Sequence, residues 1–206
     1  MATNLLAPNG LVFSRNIYGA APTAQANQYL IRKGFVANNI SVGDLVKTGP
    51  AGINQGYVIP SVFGDTTGLG VFVGVLPYFD LTTQQTMHGL NGSFQLASNP
   101  SADIPCVVIS DPMAVYRIQV SGGTWAPSWR GQNINWLTGT NALPNAAGIS
   151  VLAADFTTLA LTSTLPLRIV NVSGVQGGPQ DPLNVNPVIE VTLNPGWLEM
   201  MLGTGI

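Results

Sequence analysis

Charge is what this sequence has least of. Asp, Glu, Lys and Arg make up 8% of its 206 residues, against roughly 25% in ordinary soluble domains. Solubility normally rests on mixed charges and a net charge away from zero. Here the formal net charge is −2, and the polar surface falls to 56 Asn, Gln, Ser and Thr residues. A neutral, polar surface suits a subunit that lives packed against others. The seven basic residues are scattered from Arg15 to Arg168. They form no local run for neutralising phosphates, so no nucleic-acid partner is expected.

Cysteine and histidine are nearly absent. The single Cys106 excludes an internal disulfide and a cysteine-based zinc site. Followed by Val107, Val108 and Ile109, it reads as a small core hydrophobe. One histidine, His88, lies in a polar stretch with no G-x-S-x-G elbow, so neither a nucleophile–histidine triad nor a histidine metal site is expected. No metal and no cofactor is expected, and the chain is read as non-catalytic. A carboxylate pair such as Asp103 with Asp111 stays open as a glycosidase-like arrangement. The glycines from Gly68 to Gly74 lack the spacing of a phosphate loop and any following Lys-Ser/Thr.

Long apolar runs are also missing. The longest, 69–76, is far short of the ~20 residues that span a bilayer. No membrane partner is expected, and residues 1–11 have neither the basic start nor the apolar stretch of a signal peptide. The sequons at Asn39, Asn91 and Asn171 are then chance matches in an Asn- and Ser-rich chain.

What is abundant is punctuation: 24 glycines and 15 prolines fall between short apolar segments. Regularly spaced short strands of this kind predict an all-β sandwich or barrel, with a jelly roll favoured and little helix. Candidate strands are 28–32, 44–47, 57–62, 69–76, 106–110, 114–120, 134–137, 149–152, 167–172 and 188–193. In 114–120, Ala114, Tyr116, Ile118 and Val120 face one way, and Arg117 and Gln119 the other. In 188–193, Ile189, Val191 and Leu193 oppose Glu190 and Thr192. Segments 69–76 and 106–109 are apolar throughout, as in strands covered on both faces. Asp111-Pro112 reads as a tight turn, and the best helix signals are short, at 153–158 and 196–202.

Two ends and one loop stand out. Residues 1–27 carry isolated apolar side chains, among them Leu5, Leu6, Leu11 and Phe13. They read as a frayed terminus or as an extended arm that orders on a partner, ahead of a single β-rich domain at 28–206. The last apolar segment contains Trp197, Met200, Met201 and Leu202. It either closes the core or makes an intersubunit contact. Within 121–137, Trp125, Trp129 and Trp136 cluster with Arg130. Core packing, a protein hot spot and a sugar-binding platform using Trp125, Trp129 and Arg130 all remain open there.

A succession of short strings then matters. Asn9-Gly10-Leu11 with Arg15 is followed by Gln28-Tyr29-Leu30-Ile31 and Val42-Gly43-Asp44-Leu45-Val46. Next come Gly70-Val71-Phe72-Val73-Gly74-Val75, the stretch 106–120 with its Asp111-Pro112 turn, Leu167-Arg168-Ile169-Val170, and 186–194. In order and spacing these resemble the decoration (cement) or auxiliary capsid proteins of tailed-phage heads, over nearly the whole chain. The resemblance implies a β-rich virion protein, made in the host cytoplasm, that sits on the capsid exterior as a homo-oligomer (dimer or trimer). It implies the major capsid protein as partner, bridged between neighbouring subunits, and no catalytic residues. With charges so scarce, such contacts are expected to be mainly apolar. A head fibre or spike module binding carbohydrate or a receptor through the tryptophan stretch is the alternative.

Overall fold

The structure, a computed structural model, describes residues 4–18, 26–33, 40–52, 54–81, 84–87, 93–94, 102–141, 149–174 and 181–199. It is mostly antiparallel β with almost no helix, an all-β sandwich. The strands are β1 (Val12–Asn16), β2 (Ala26–Ile31), β3 (Ile40–Ser41), β4 (Leu45–Thr48), β5 (Val58–Pro60), β6 (Gly70–Val75), β7 (Tyr78–Asp80) and β8 (Gln85–Met87). They continue as β9 (Ser93–Phe94), β10 (Ile104–Ile109), β11 (Ala114–Ser121), β12 (Asn133–Ile134), β13 (Ala154–Asp155), β14 (Leu167–Ser173) and β15 (Val188–Leu193).

The strands sort by position in the chain. One sheet runs β2-β10-β6-β4-β5; the other runs β1-β11-β15-β14-β12, with β13 pairing β11 in parallel. Trp136 bridges Ala154, so the second sheet bends back toward β11 through short contacts. In the first sheet the edge strands β2 and β5 approach each other without a ladder between them. Apart from β1 and the two-stranded pairs β3-β9 and β7-β8, strands before Ser110 build one sheet and strands after it the other. A jelly roll alternates strands between its sheets, and these pairings do not show that order.

The corner between the sheets is the Asp111-Pro112 turn. The Asp111 carboxylate accepts from the Met113 N–H at 2.8 Å, and its carbonyl from the Ala114 N–H at 3.2 Å. That Asx geometry turns the chain within a few residues, handing it from β10 to β11.

The inner strands of sheet β2-β10-β6-β4-β5 are largely buried, with Val73 exposed on β6 and Ala26, Gln28 and Leu30 exposed on the edge strand β2. Leu45, Val71 and Ile109 join the core shared with the other sheet, while Val46, Phe72, Cys106 and Val108 pack on the opposite side with Ile40. This is why segments 69–76 and 106–109 carry no polar alternation. In the other sheet Tyr116, Ile118, Ile169, Ile189 and Val191 face inward, and the outward positions are mostly polar, with Val115 and Val188 among them.

Trp197 closes the seam between the sheets. It is 0% exposed and meets Trp136 edge to face, with ring centroids 6.3 Å apart. Its indole N–H donates to the Asp65 carbonyl at 3.1 Å, and its carbonyl accepts from the Gly68 N–H at 2.8 Å. A Cβ on Gly68 would lie 1.8 Å from the indole, so only glycine lets the ring in. A second tie is Asp44, fully buried: it accepts from the Ser41 N–H at 2.7 Å and from the Ser150 hydroxyl at 2.5 Å. Asn141 adds a third by bonding both backbone groups of Leu45, at 2.9 Å each.

Several expectations are corrected. The extended arm at 1–27 is, over residues 4–18, part of the domain: β1 pairs with β11, and Leu11 is a core residue. Burial of Leu11 and the ladder to β11 outweigh the weak period of that segment. Segment 149–152 makes no strand, and 153–158 forms β13 and one 3-10 turn, not a helix. There Asp155 caps the turn by accepting from the Thr157 N–H, and two threonines disfavour further helix. Residues 195–197 form a turn, and the rest of 196–202 past Glu199 lies outside the described residues, as does His88.

Two expectations follow. Trp197→Ala should cost about 3–5 kcal/mol in urea unfolding followed by circular dichroism, and Gly68→Ala should destabilise through the same seam. Burial pushes the Cys106 thiol from 9.0 up to about 12, with a backbone hydrogen bond to Tyr29 opposing. The folded state therefore favours the neutral thiol, a contribution intact below pH 9.0 and lost as pH rises toward 12. Iodoacetamide at pH 8.5 should modify Cys106 only as fast as the protein opens, and rapidly in urea.

Candidate interaction face

The outward face of the sheet containing β11 and β15 is built by register. Alternation along β11 points Val115, Arg117 and Gln119 outward; along β15 it points Val188, Glu190 and Thr192 outward. One row across the sheet reads Arg15, Val115, Thr192 and Arg168; the next reads Val12, Arg117, Glu190 and Asn171. Arg15 pairs with Glu190 at 2.7 Å. Arg130 reaches the same face from the loop after the 3-10 turn Pro127–Trp129, donating to Asn171 Oδ1 at 2.8 Å.

Residues 4–7 cross one end of this face as a strap. The Gln119 side chain accepts from the Ala7 N–H and donates to the Leu5 carbonyl, both at 2.8 Å. Asn186 stitches three segments: its amide donates to the Asn4 carbonyl at 3.1 Å, its side-chain oxygen accepts from the Gly122 N–H at 2.8 Å, and its N–H donates to the Gly123 carbonyl. Its φ of +62° is a left-handed conformation that asparagine tolerates better than most residues. The Asn4 amide donates to the Asp181 carbonyl at 3.0 Å, and the Trp125 N–H donates to the Pro182 carbonyl at 3.1 Å.

These bonds gather apolar side chains that lie far apart in sequence. Leu5 is 82% exposed and Leu6 41%, beside exposed Leu183 and Val185 on the turn they are tied to. Trp125 lies half-buried at the edge of that turn, with the Arg130 guanidinium 5.9 Å from its ring centroid. Exposed apolar groups mark interaction surfaces, and Trp beside Arg is the pairing enriched in protein-binding hot spots.

The residues singled out from sequence divide accordingly. Leu5, Leu6, Trp125 and Arg130 come together at this face. Leu11 and Trp197 do not: both are core, so as contact residues they are corrected. Trp129 is also corrected as a surface residue. It is 5% exposed and packed between Trp125 at 5.6 Å and Phe156 at 5.2 Å, because Gly123 leaves room for the Phe156 ring beside it. Phe13 is half-buried against Tyr116 and lines an apolar cleft of about 410 Å³ between β1 and β6. Met200, Met201 and Leu202 lie outside the described residues. Leu183, Val185, Gln119 and Asn186 were missed. Asn186, beside Pro187 in a Pro- and Asn-rich stretch, carried only a turn signal.

The remaining polar groups do structural work. Asp103 accepts from the Lys33 N–H at 2.8 Å and the Tyr57 hydroxyl at 3.0 Å, a bond that raises the Tyr57 pKa above its ordinary value. Asp103 and Asp111 flank opposite ends of the six-residue β10, about 20 Å apart. Glycosidase carboxylates stand roughly 5–10 Å apart, so these two are not such a pair. Among the described residues no three of His, Cys, Asp and Glu cluster to hold a metal ion, and no helix is long and apolar enough to cross a membrane.

No protein-family model, curated protein or solved structure matches the chain.

Residues 5–7 of the strap are bonded by the Gln119 side chain, which makes that part testable. Gln119→Ala removes both bonds to residues 5–7, and amide exchange over that segment should accelerate on the order of tenfold, one hydrogen bond's net worth. Exchange in β15 should stay as slow as in the parent.

Proposed function

We propose that this chain is a structural subunit of a tailed-phage virion. It binds the outside of the capsid as a homo-oligomer and stabilises the shell by bridging neighbouring major capsid subunits. The observation that carries the reading is the gathered face of Leu5, Leu6, Leu183, Val185 and Trp125 on a protein with little charge to keep it dispersed. Contiguous exposed apolar groups mark surfaces that another protein covers. The ordered strings from Asn9 to Asn194 that resemble phage auxiliary capsid proteins supply the kind of assembly.

The mechanism in this reading is mechanical. Each copy spans a junction between subunits, so expansion or rupture of the shell also has to break its contacts. Many modest bridges acting together hold far more firmly than one.

The alternative, a head fibre or spike module binding carbohydrate, relied on Trp125 and Trp129 as paired platforms. With Trp129 buried, Trp125 alone faces outward, already covered in part by Arg130. That favours the protein contact.

The test is sedimentation. Purified chain should travel with assembled shells and not with unassembled capsid subunits, since a bridge needs two neighbours in place. Leu5→Ser combined with Leu183→Ser should lower the bound fraction at least about tenfold without loss of fold, two buried leucines contributing roughly 1.5–3 kcal/mol each. Equal binding to free subunits, or none to shells, refutes the reading.

A further inference from the structure

We infer that the outward face of the sheet containing β11 and β15 is built to receive a carboxylate-rich protein surface. The inference rests on the chain being a subunit that binds other proteins, and it names the chemistry of the partner.

Of the seven basic residues, Arg15, Arg117, Arg130 and Arg168 reach this one face, and among the acids whose side chains are described Glu190 alone stands with them. They come from four places in the chain, and only the pairing of β1, β11, β15 and β14 brings them together. Arg117, Arg130 and Arg168 are exposed, and neither of the two ion pairs includes them.

Elsewhere the acids are committed locally. Asp65 pairs with Lys47 and accepts from the Val62 N–H. Asp103, Asp111, Asp155 and Asp181 accept from the N–H groups of Lys33, Met113, Thr157 and Leu183, and Glu199 from the Thr48 hydroxyl. A chain with a formal charge of −2 therefore presents a cationic face while its carboxylates hold turns. Among the described side chains no further carboxylate pairs with Arg117, Arg130 or Arg168.

Arginine is the cation whose planar fork matches a carboxylate in two parallel bonds. Arg117 and Arg168 lie two strands apart and one row offset, on the order of 12 Å. That spacing suits separate carboxylates on a folded partner. The central Glu190 argues against a nucleic acid, whose phosphates it would repel and whose affinity grows with every neutralised charge. The bordering Leu5, Leu6 and Trp125 also fit a protein rim better than a phosphate backbone. In the assembled state the arginines set orientation and speed of docking, and the apolar border sets how firmly the subunit stays.

The test uses the purified full chain and poly-L-glutamate as a defined acidic probe, in about 20 mM and about 300 mM salt. The parent should bind at low salt and release at high salt. Arg117→Gln with Arg168→Gln should weaken binding on the order of tenfold, with the unfolding midpoint unchanged. Glu190→Gln should bind more tightly than the parent, a gain that a merely destabilised variant does not produce. Equal binding by parent and double variant, no binding at low salt, or tighter binding to a DNA duplex of matched charge overturns the proposal. The shell reading fails separately. A chain that binds poly-glutamate but ignores shells keeps the face and loses the capsid. One whose double variant sediments with shells as fast and as fully as the parent keeps the capsid and loses the face.

Discussion

Trp197 in the notch left by Gly68 is the contact on which the two-sheet arrangement turns. Apart from β1, the two halves of the chain make separate large sheets, and the backbone joins them at few points, among them the bridge between Gly68 and Leu198. Side chains at the same seam add to that join, where the indole packs on Trp136 and bonds to residues 65–68 ahead of β6. An aromatic of this size, fully removed from water, contributes several kcal/mol, a sizeable part of a typical domain's margin. Asp44 with Ser150 and Asn141 with Leu45 then fix the seam's direction, because buried polar groups tolerate few arrangements.

Holding the sheets by their inner faces has a consequence for function. The sheet containing β11 turns most of its aliphatic side chains inward, which leaves its outward face to Arg, Gln, Glu and Thr with Val115 and Val188 between them. The strap of residues 4–7 and the turn at 181–186 then border that face with leucine and valine. Four of the seven basic side chains thus lie on one side of the protein, while most of the described carboxylates elsewhere are occupied with turns and caps. A low total of charges does not make such a protein electrostatically blank, because the few it has are segregated.

Much of the fold was legible because strands announce themselves by period and punctuation. The alternations in 114–120 and 188–193 are the inward and outward faces of β11 and β15, and the apolar runs at 69–76 and 106–109 are largely buried strands in which Val73 is left exposed. Asp111-Pro112 is the corner it promised to be. The failures have a common cause. β1, β3, β9 and β13 are short or irregular, and a segment of two to five residues becomes a strand only when a neighbour supplies its hydrogen bonds. Likewise Trp129, Leu11 and Trp197 look the same in sequence whether they face a partner or the core.

What the sequence determined by itself is local: β-rich segments, their turns, a single cysteine and a single histidine, and a chain poor in charge. These follow from side-chain branching, backbone restriction at Gly and Pro, and composition, none of which needs a neighbour. Only the tertiary structure decided which residues share a face. Arg15, Arg117, Arg130 and Arg168 are scattered in the chain and gathered on one sheet. Asn4 is tied to Asp181 and Asn186, and Trp129 is buried against Trp125. Strand pairing joins residues about 5 Å apart across the sheet whatever their separation along the chain, and that register is set by long-range burial.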